Sequence, residues 1–454
     1  MGVSVATLFA VMFSTVGLGF QILDNGPYHH TIGGWVAPLG IGLYADGLSL
    51  LMLTITALVG LGISVYASAY FEQSRSVHFW PLWLFLLAAL NGLFLSADIF
   101  NLYITLELMG LAAVALAALS GGVNALAGAM RYLLTTLLGS LAYLLGVALL
   151  YHGYGSVDIS ILAERADATP VLWASLGLMG AGLALKMALF PLHFWLPSAH
   201  ASAPAPVSAL LSALVIKGGF YILLRLWLEI FEPHSSGAEV LLGLLGSAAI
   251  IWGSLQALRQ TRLKLLIAYS TVAQVGYLFM AFPLSMGAGV TVWSGVAYMA
   301  LSHALAKAAM FLAAGNLLHF GGHDRIADLD RVVQRLPLTA GAFALAGVSI
   351  IGLPPSGGFI GKWLLLQSAL TQGQWGMVIV MLLGSLLAAA YVFKVLGHAF
   401  IQASVPHEPR AVPARMEWVA LLLACAAILI GFLAPILLPL INIGDPFVIT
   451  GDIS

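Results

Sequence analysis

The sequence predicts an all-α polytopic membrane protein of about thirteen transmembrane helices. Three observations predict it. Of 454 residues, 61% are hydrophobic and 8% charged, against about 25% charged in a soluble domain. Apolar segments long enough to cross ~30 Å of hydrocarbon recur along the whole chain. The basic residues between those segments gather on one side of the implied membrane.

Taken in order, segment 1–23 has no basic start and a long apolar run, so it reads as a spanning helix and not as a cleaved signal peptide. Segments 48–71, 80–97, 99–119 and 129–152 follow, with a tight boundary near Asp98. Segment 171–200 is longer than one crossing and contains a breaker at Pro191. Next come 205–231, 239–258, 263–283 and 290–318. Segment 338–369 is broken by "GLPPSGG", with Pro354 and Pro355, and 375–400 and 417–441 complete the series. Asp24, Asp46 and Asp98 fall at the ends of spans, where helix capping accounts for them.

If the segments alternate, one face carries Arg75, Arg131, Arg259, Arg262, Lys264, Arg325, Arg331, Arg335, Arg410 and Arg415. The other carries Arg165 and, at a helix end, Arg225. The bias makes the first face cytoplasmic. It predicts an integral protein of the inner (cytoplasmic) membrane, with the N-terminus cytoplasmic and the C-terminus external. A net charge of −1 argues against a nucleic-acid partner. Cys425 is the only cysteine, which excludes an intrachain disulfide or a Cys-based metal centre.

The charges are sorted by type. The arginines lie in loops or near helix ends, whereas Lys186, Lys217, Lys307, Lys362 and Lys394 lie within apolar segments. Lys264, at a cytoplasmic helix start, reads as ordinary. Arginine stays protonated, so burying it fixes a charge; a buried lysine can exist in either state. Each charge at the bilayer centre costs at least ~2.5 kcal/mol. Five lysines there imply a role in accepting and releasing protons, together with Glu107, His200 and His303. Competing bland readings exist. Lys394, near a helix end, can snorkel to the headgroups. His303 can be a satisfied core residue, and His193 and His398 read that way. His319, His323 and His407 fall near loops, where solvation accounts for them, although His319 remains an additional candidate.

Lys186 and Lys217 are 31 residues apart, Lys362 and Lys394 are 32 apart, and the two pairs are offset by 176 and 177 residues. Each pair starts near a broken helix. Five spans separate corresponding positions, an odd number, so the second unit runs upside-down relative to the first. This predicts two inverted five-helix repeats with discontinuous helices, a transporter signature. The units are 1–79 (N-terminal helices), 80–231 (first repeat), 239–400 (second repeat) and 417–441 (a C-terminal helix). Pro191 leaves backbone polar groups free, which is tolerated at membrane depth only inside protein or beside water. Beside Lys186 it reads as a station on a proton path.

Five stretches carry a family resemblance: "DIFNLYITLELMGLAAVAL" (98–116), "KMALFPLHFWLPSAHASAPAPVSALLSALVIKGGFYILLR" (186–225), "LKLLIAYSTVAQVGY" (263–277), "SHALAKAAMFLAAGNLLH" (302–319) and "GLPPSGGFIGKWLL" (352–365). The chain resembles the antiporter-like subunits shared by Mrp-type sodium/proton antiporters, the membrane arm of complex I and membrane-bound hydrogenases. "DIFNLY" and "GGFIGK" look most like the D-type chain of Mrp antiporters and its hydrogenase relatives. The resemblance implies that Glu107 matches the family's glutamate of the fifth helix, Lys186 the lysine of the broken seventh and Lys217 that of the eighth. His303 and Lys307 match the polar pair of the eleventh helix, and Lys362 the terminal residue of the broken twelfth. It implies a hydrated axis across the membrane plane along which the Glu–Lys pair sets the charge of the next lysine. The family's fourteen spans against thirteen here imply that its first helix is absent, and no long lateral helix follows residue 441.

The expected function is a proton-translocating subunit of a multisubunit cation/proton antiporter. The alternative is a proton-pumping membrane-arm subunit of a redox-driven complex. Any redox chemistry would sit in partner subunits, since this chain has no cysteine cluster, haem motif or Gly-rich nucleotide loop. A third reading is a scaffold that has lost conduction, against which the lysine set argues. The expected partners are other antiporter-like and small helical membrane subunits, the lipid bilayer, protons and a cation such as Na+. No cofactor is expected. No metal is expected either: His193 and His200 are seven apart, but Pro197 intervenes and no carboxylate joins them.

Overall fold

A computed structural model of the chain describes residues 2–38, 40–234, 237–285, 289–403 and 409–444; His407 lies outside them. Among the described residues, eleven helices are long and apolar enough to cross a membrane. They are α1 (Gly2–Asn25), α2 (Gly47–Tyr70), α3 (Gln73–Leu95), α4 (Ile99–Ala118), α5 (Gly122–Tyr154), α9 (Ala205–His234), α10 (Ala238–Arg259), α11 (Leu263–Leu284), α12 (Gly289–Gly321), α15 (Trp375–His398) and α16 (Ala414–Phe432). Two of the apolar segments are instead each split into a pair of shorter helices. Segment 171–200 forms α7 (Pro170–Lys186) and α8 (Leu196–Ser202), and 338–369 forms α13 (Pro337–Ile351) and α14 (Gly357–Thr371). A short α6 (Ile159–Arg165) precedes α7, and α17 (Ala434–Ile441) continues α16. Strands β1 (Tyr28–Thr31) and β2 (Gly42–Ala45) pair antiparallel between α1 and α2, with Tyr28 opposite Ala45 and Thr31 opposite Gly42.

The breaks follow from local chemistry. Helix α7 opens on the Thr169 hydroxyl, which accepts from the Leu172 N–H, with Pro170 in the first turn where its missing N–H costs nothing. After Lys186 the backbone leaves helical geometry, with Ala188 at φ +56°. The Trp195 indole then donates 2.8 Å to the Leu185 carbonyl, in the last turn of the helix, which also accepts from the Ala188 N–H at 3.2 Å. Helix α13 ends on Gly352 at φ +86°, a conformation that favours glycine. Ser356 restarts the chain by capping α14 through the Phe359 N–H.

Asp46 and Asp98 cap α2 and α4 as expected. Asp24 does not cap: it is exposed in the last turn of α1. Two other expectations are corrected. Arg225 is not at a helix end; it is buried inside α9 and pairs with Asp46 at 2.5 Å. Lys264 is not an ordinary solvated terminus; it is 2% exposed, and its ammonium donates to the Ala203 carbonyl.

The helices form an inner and an outer set. Helices α9 and α12 are enclosed along their apolar windows and α11 nearly so, whereas α1 turns most of its surface outward, including Phe9, Phe13 and Phe20. The outer helices pack through glycine. A methyl added at Gly139 of α5 would lie 2.8 Å from the Gly182 carbonyl oxygen of α7; one at Gly246 of α10 would lie 2.7 Å from that of Gly276 in α11. Small residues at such crossings let backbones approach closely, the main source of helix association in lipid.

The α5–α7 crossing also fixes where Lys186 sits. Gly182→Val should overpack it by about 1–3 kcal/mol. The expected result is a lower melting temperature of the detergent-purified protein; an unchanged melting curve would mean that the crossing is looser than described.

Candidate functional site: a buried file of amines

Each buried amine in this protein meets the same difficulty and solves it in the same way. An ammonium group inside an apolar bundle is affordable only with hydrogen-bond partners, and here those partners are backbone carbonyls, some released at helix ends and a π-helical turn and others within neighbouring helices. Helix C-termini add to this, because their carbonyls carry the negative end of the helix dipole.

At one end, Lys186 faces Glu107 at 3.7 Å and the Leu106 carbonyl at 3.5 Å, both on α4. The Ser140 hydroxyl of α5 donates to Glu107. Lys186 is nearly buried (4% side-chain exposure) while Glu107 keeps 21%, so the carboxylate is the more solvated partner. The amine turns towards α4 and away from the break at Pro191, so the proline places it without bonding it.

Lys217 lies in α9 just after a π-helical turn spanning Leu211–Val215. Such turns loosen the regular backbone ladder, and Lys217 donates 2.5 Å to the Ser212 carbonyl within it. Lys307 of α12 donates to the Ile267 carbonyl at 3.1 Å and to the Ser270 hydroxyl, both on α11. Lys362 reaches back across the second break to the last carbonyls of α13, Ile350 at 2.9 Å and Ile351 at 3.1 Å. It also sits 4.2 Å over the Tyr277 ring, a cation–π contact.

Two histidines lie among these amines. His303 feels the charges of Lys217, Lys307 and Lys362, and His200 those of Lys264, Lys307 and Lys217. Both rings are buried, and neither nitrogen of either ring has a protein hydrogen-bond partner. Buried polar atoms without partners are rare and need water or a transferable proton to account for them. His200 also stacks on Phe311 at 4.7 Å.

The remaining candidates lie apart. Lys394 donates 2.8 Å to the Leu258 and Gln260 carbonyls at the end of α10, in keeping with a residue near a helix end. His319 lines a surface recess with Glu72, Arg75 and Arg410. Beside Lys217, Met109 and Met187 pack closely against Gly218 and Gly219, the two residues that follow it. Among the described residues no group of three His, Cys, Asp or Glu side chains is placed to hold a metal ion.

A sequence model described as "NADH:quinone oxidoreductase/Mrp antiporter, TM" matches residues 96–388, well over half of the chain. The chain belongs to this family. It is 38% identical over 411 residues to the N-type chain of the NADH-quinone oxidoreductase of Desulforudis audaxviator, covering 88% of this chain and 81% of that one. It is 29% identical over 403 residues to the D-type chain of the Na(+)/H(+) antiporter of Bacillus subtilis, covering 87% and 81%. A chain in the solved Mrp complex from Dietzia sp. superposes with a TM-score of 0.91 at 26% identity, over 98% of this chain and 92% of that one. The family predicted from the five sequence stretches is therefore the one found, and the likeness extends beyond them to nearly the whole fold. This chain is an antiporter-like membrane subunit with relatives in both branches.

Ser140 was not singled out by sequence reasoning. Its hydroxyl fixes the Glu107 carboxylate, and losing one hydrogen bond to a charged group costs roughly 1.5–3 kcal/mol. Ser140→Ala should lower proton-coupled transport by the reconstituted complex roughly tenfold, with assembly unchanged. An unaffected rate would mean that Lys186 alone orients Glu107.

Proposed function

We propose that this chain conducts protons within a multisubunit membrane complex, most simply an Mrp-type cation/proton antiporter. One observation carries the reading: Lys217 and Lys307 lie on the two most enclosed helices, two buried histidines without protein partners lie in the electrostatic range of these amines, and Glu107–Lys186 stands at one end and Lys362, on carbonyls released by a helix break, at the other. Protonated Lys186 is held by Glu107. When the pair separates, the amine loses its counter-charge and releases its proton towards Lys217. From Lys217 the proton passes by His303 or His200 to Lys307 and on to Lys362. Water bridging the histidine nitrogens would complete the relay, as it does for buried polar groups generally.

In this reading 80–231 and 239–400 are two inverted units, flanked by 1–79 and 417–441. The N-terminus is cytoplasmic and the C-terminus external, as the arginine distribution implies. Other antiporter-like and small helical subunits surround the chain, and one of them carries the exchanged cation, Na+ or another.

Glu107→Gln should reduce proton-coupled transport by reconstituted complex about tenfold or more, equivalent to ~1.4 kcal/mol of lost charge pairing. Glu107→Asp should recover part of it. Wild-type rates in an assembled Glu107→Gln complex would sink the Glu–Lys switch.

The 38% identity to a quinone oxidoreductase chain supports a second reading, a redox-driven complex with the same proton file. The proteins that copurify with the chain decide between them. A partner with iron–sulfur clusters would establish the redox machine; membrane partners without redox centres would establish the antiporter.

A further inference from the structure

Lys217 is the lowest rung of a ladder. Lys217, Tyr221, Arg225 and Glu229 recur every fourth residue along α9, one helical turn per step. A small void lined by Lys217, Tyr221, Met52 and Leu224 sits at its foot. Its head opens on a cavity of about 280 Å³ under the β1–β2 hairpin, lined by Arg225, Glu229, Asp158, His29, His30 and Tyr44.

Between the two lies a closed polar knot. The Arg225 guanidinium donates 2.5 Å to Asp46 Oδ1, 3.1 Å to the Ser49 hydroxyl and 3.2 Å to the Tyr221 hydroxyl. Ser49 and Tyr221 are themselves 3.0 Å apart. Asp46 is fully buried, yet its Oδ2 has no protein partner. One turn further out, Glu229 feels the charges of both Arg225 and Asp46. A single guanidinium thus has two carboxylates within its range, one inside the knot and one at the cavity. Capping α2 needs only the Asp46 carboxylate, so capping does not explain a buried arginine on it.

We propose that α9 carries an external half-channel to Lys217, and that Arg225 gates it by exchanging Asp46 for Glu229. This rests on the proton-conducting reading above. With Arg225 on Asp46, a fixed positive charge blocks the route between Lys217 and the cavity. Arginine cannot give up its proton, so it excludes cations without relaying them. When Arg225 swings outward to Glu229, the Asp46 carboxylate is freed. A proton leaving the Lys217 ammonium then passes through water beside Tyr221 and Ser49 to Asp46, and from Asp46 to the cavity. Lys217 is left neutral and Asp46 returns to its anion when Arg225 comes back. Tyr44, at the cavity wall outside the spans, is pushed up to about 12 by burial and then by Asp46. It therefore keeps its phenolic proton and serves as wall, with the guanidinium 5.5 Å from its ring.

The test counts thiols in the assembled complex in oriented membrane vesicles, on a Cys425→Ala background. Silver ion, a small bare cation that caps thiols, is added to one face. Thiols left uncapped are then counted with a fluorescent maleimide after denaturation. Glu229→Cys reports the cavity and Ser49→Cys the inner side of the gate. Glu229→Cys should be capped rapidly from the external face. Ser49→Cys should be capped more slowly by roughly tenfold, the scale on which a local charge alters ion concentration in a cleft. Adding Arg225→Ala should bring Ser49→Cys to the cavity rate, and Arg225→Lys should keep it slow. If Arg225→Ala fails to assemble, Glu229→Gln replaces it. That change leaves the Asp46 pair intact but removes the outer partner, so Ser49→Cys should stay slow during transport, when the unmodified gate speeds up. The gate is overturned if Ser49→Cys reacts equally fast with and without Arg225, if it is reached only from the cytoplasmic face, or if transport speeds capping equally in Glu229→Gln. The resting comparison with and without Arg225 does not depend on proton flux. A Glu107→Gln complex with full transport would overturn the proton file while leaving this silver pattern readable, and the converse result would remove the gate alone.

Discussion

The organisation of this protein depends on one constraint: an ammonium group inside a helical bundle must find oxygen acceptors that the surrounding apolar side chains do not offer. A continuous α-helix uses each internal carbonyl once in its own ladder, leaving one lone pair to spare. Lys186 and Lys307 use such second sites on Leu106 and Ile267, but irregular backbone offers freer carbonyls, and at membrane depth it survives only when enclosed by protein or facing water. The broken α13–α14 pair gives Lys362 two carbonyls, the π-helical turn of α9 gives Lys217 one, and the end of α8 gives Lys264 one. Irregularity and charge justify each other. At Lys217, Lys264 and Lys362 the released carbonyls and the amines satisfy one another.

The same constraint explains which helices carry the chemistry. The breaks and bulges need enclosure, so the amines concentrate on α9, α11 and α12, with Lys186 and Lys362 at helix breaks beside them. The outer helices bear the lipid-facing apolar surface and contribute glycine crossings that hold the inner set in register. Glu107 sits at the boundary, the most solvated member of the file and, among the described residues, the only carboxylate that pairs with one of its lysines. A pair made of one enclosed and one partly solvated partner is well suited to switching, since small movements change the screening of one charge more than the other.

Much of this was legible in the residues. Lys186, Lys217, Lys307 and Lys362, inside apolar runs, proved to be enclosed by the bundle, and the prolines beside Lys186 and Lys362 marked the breaks that the fold contains. What was missed has a common physical origin. The π-helical turns of α9 carry no proline or glycine to announce them: Leu211–Val215 reads as ordinary helix. Lys264 follows an arginine at a helix start, so its burial depends on Ala203, some sixty residues away in sequence. Arg225 stood near the end of an apolar run, and nothing local distinguishes a solvated arginine from one held by Asp46 across 179 residues. Sequence patterns report the cost of a charge; they do not report the partner that meets it.

The contrast between Arg225 and the lysines sharpens that point. A buried ion pair rarely stabilises a fold relative to apolar packing, because desolvating two charges roughly cancels their attraction, whereas removing one partner is costly. The Arg225–Asp46 pair is thus a poor choice for stability alone, and capping α2 requires no guanidinium. On the gate proposed above, its worth would lie in fixing a charge where none of the lysines could. Each lysine of the file can go neutral, so none can hold a standing barrier to a proton. A guanidinium can, and it sits two turns from Lys217, between the amines and the cavity under the hairpin. In the proposed path, groups able to lose their charge would line the way, and Arg225, which cannot lose its own, would stand across the exit.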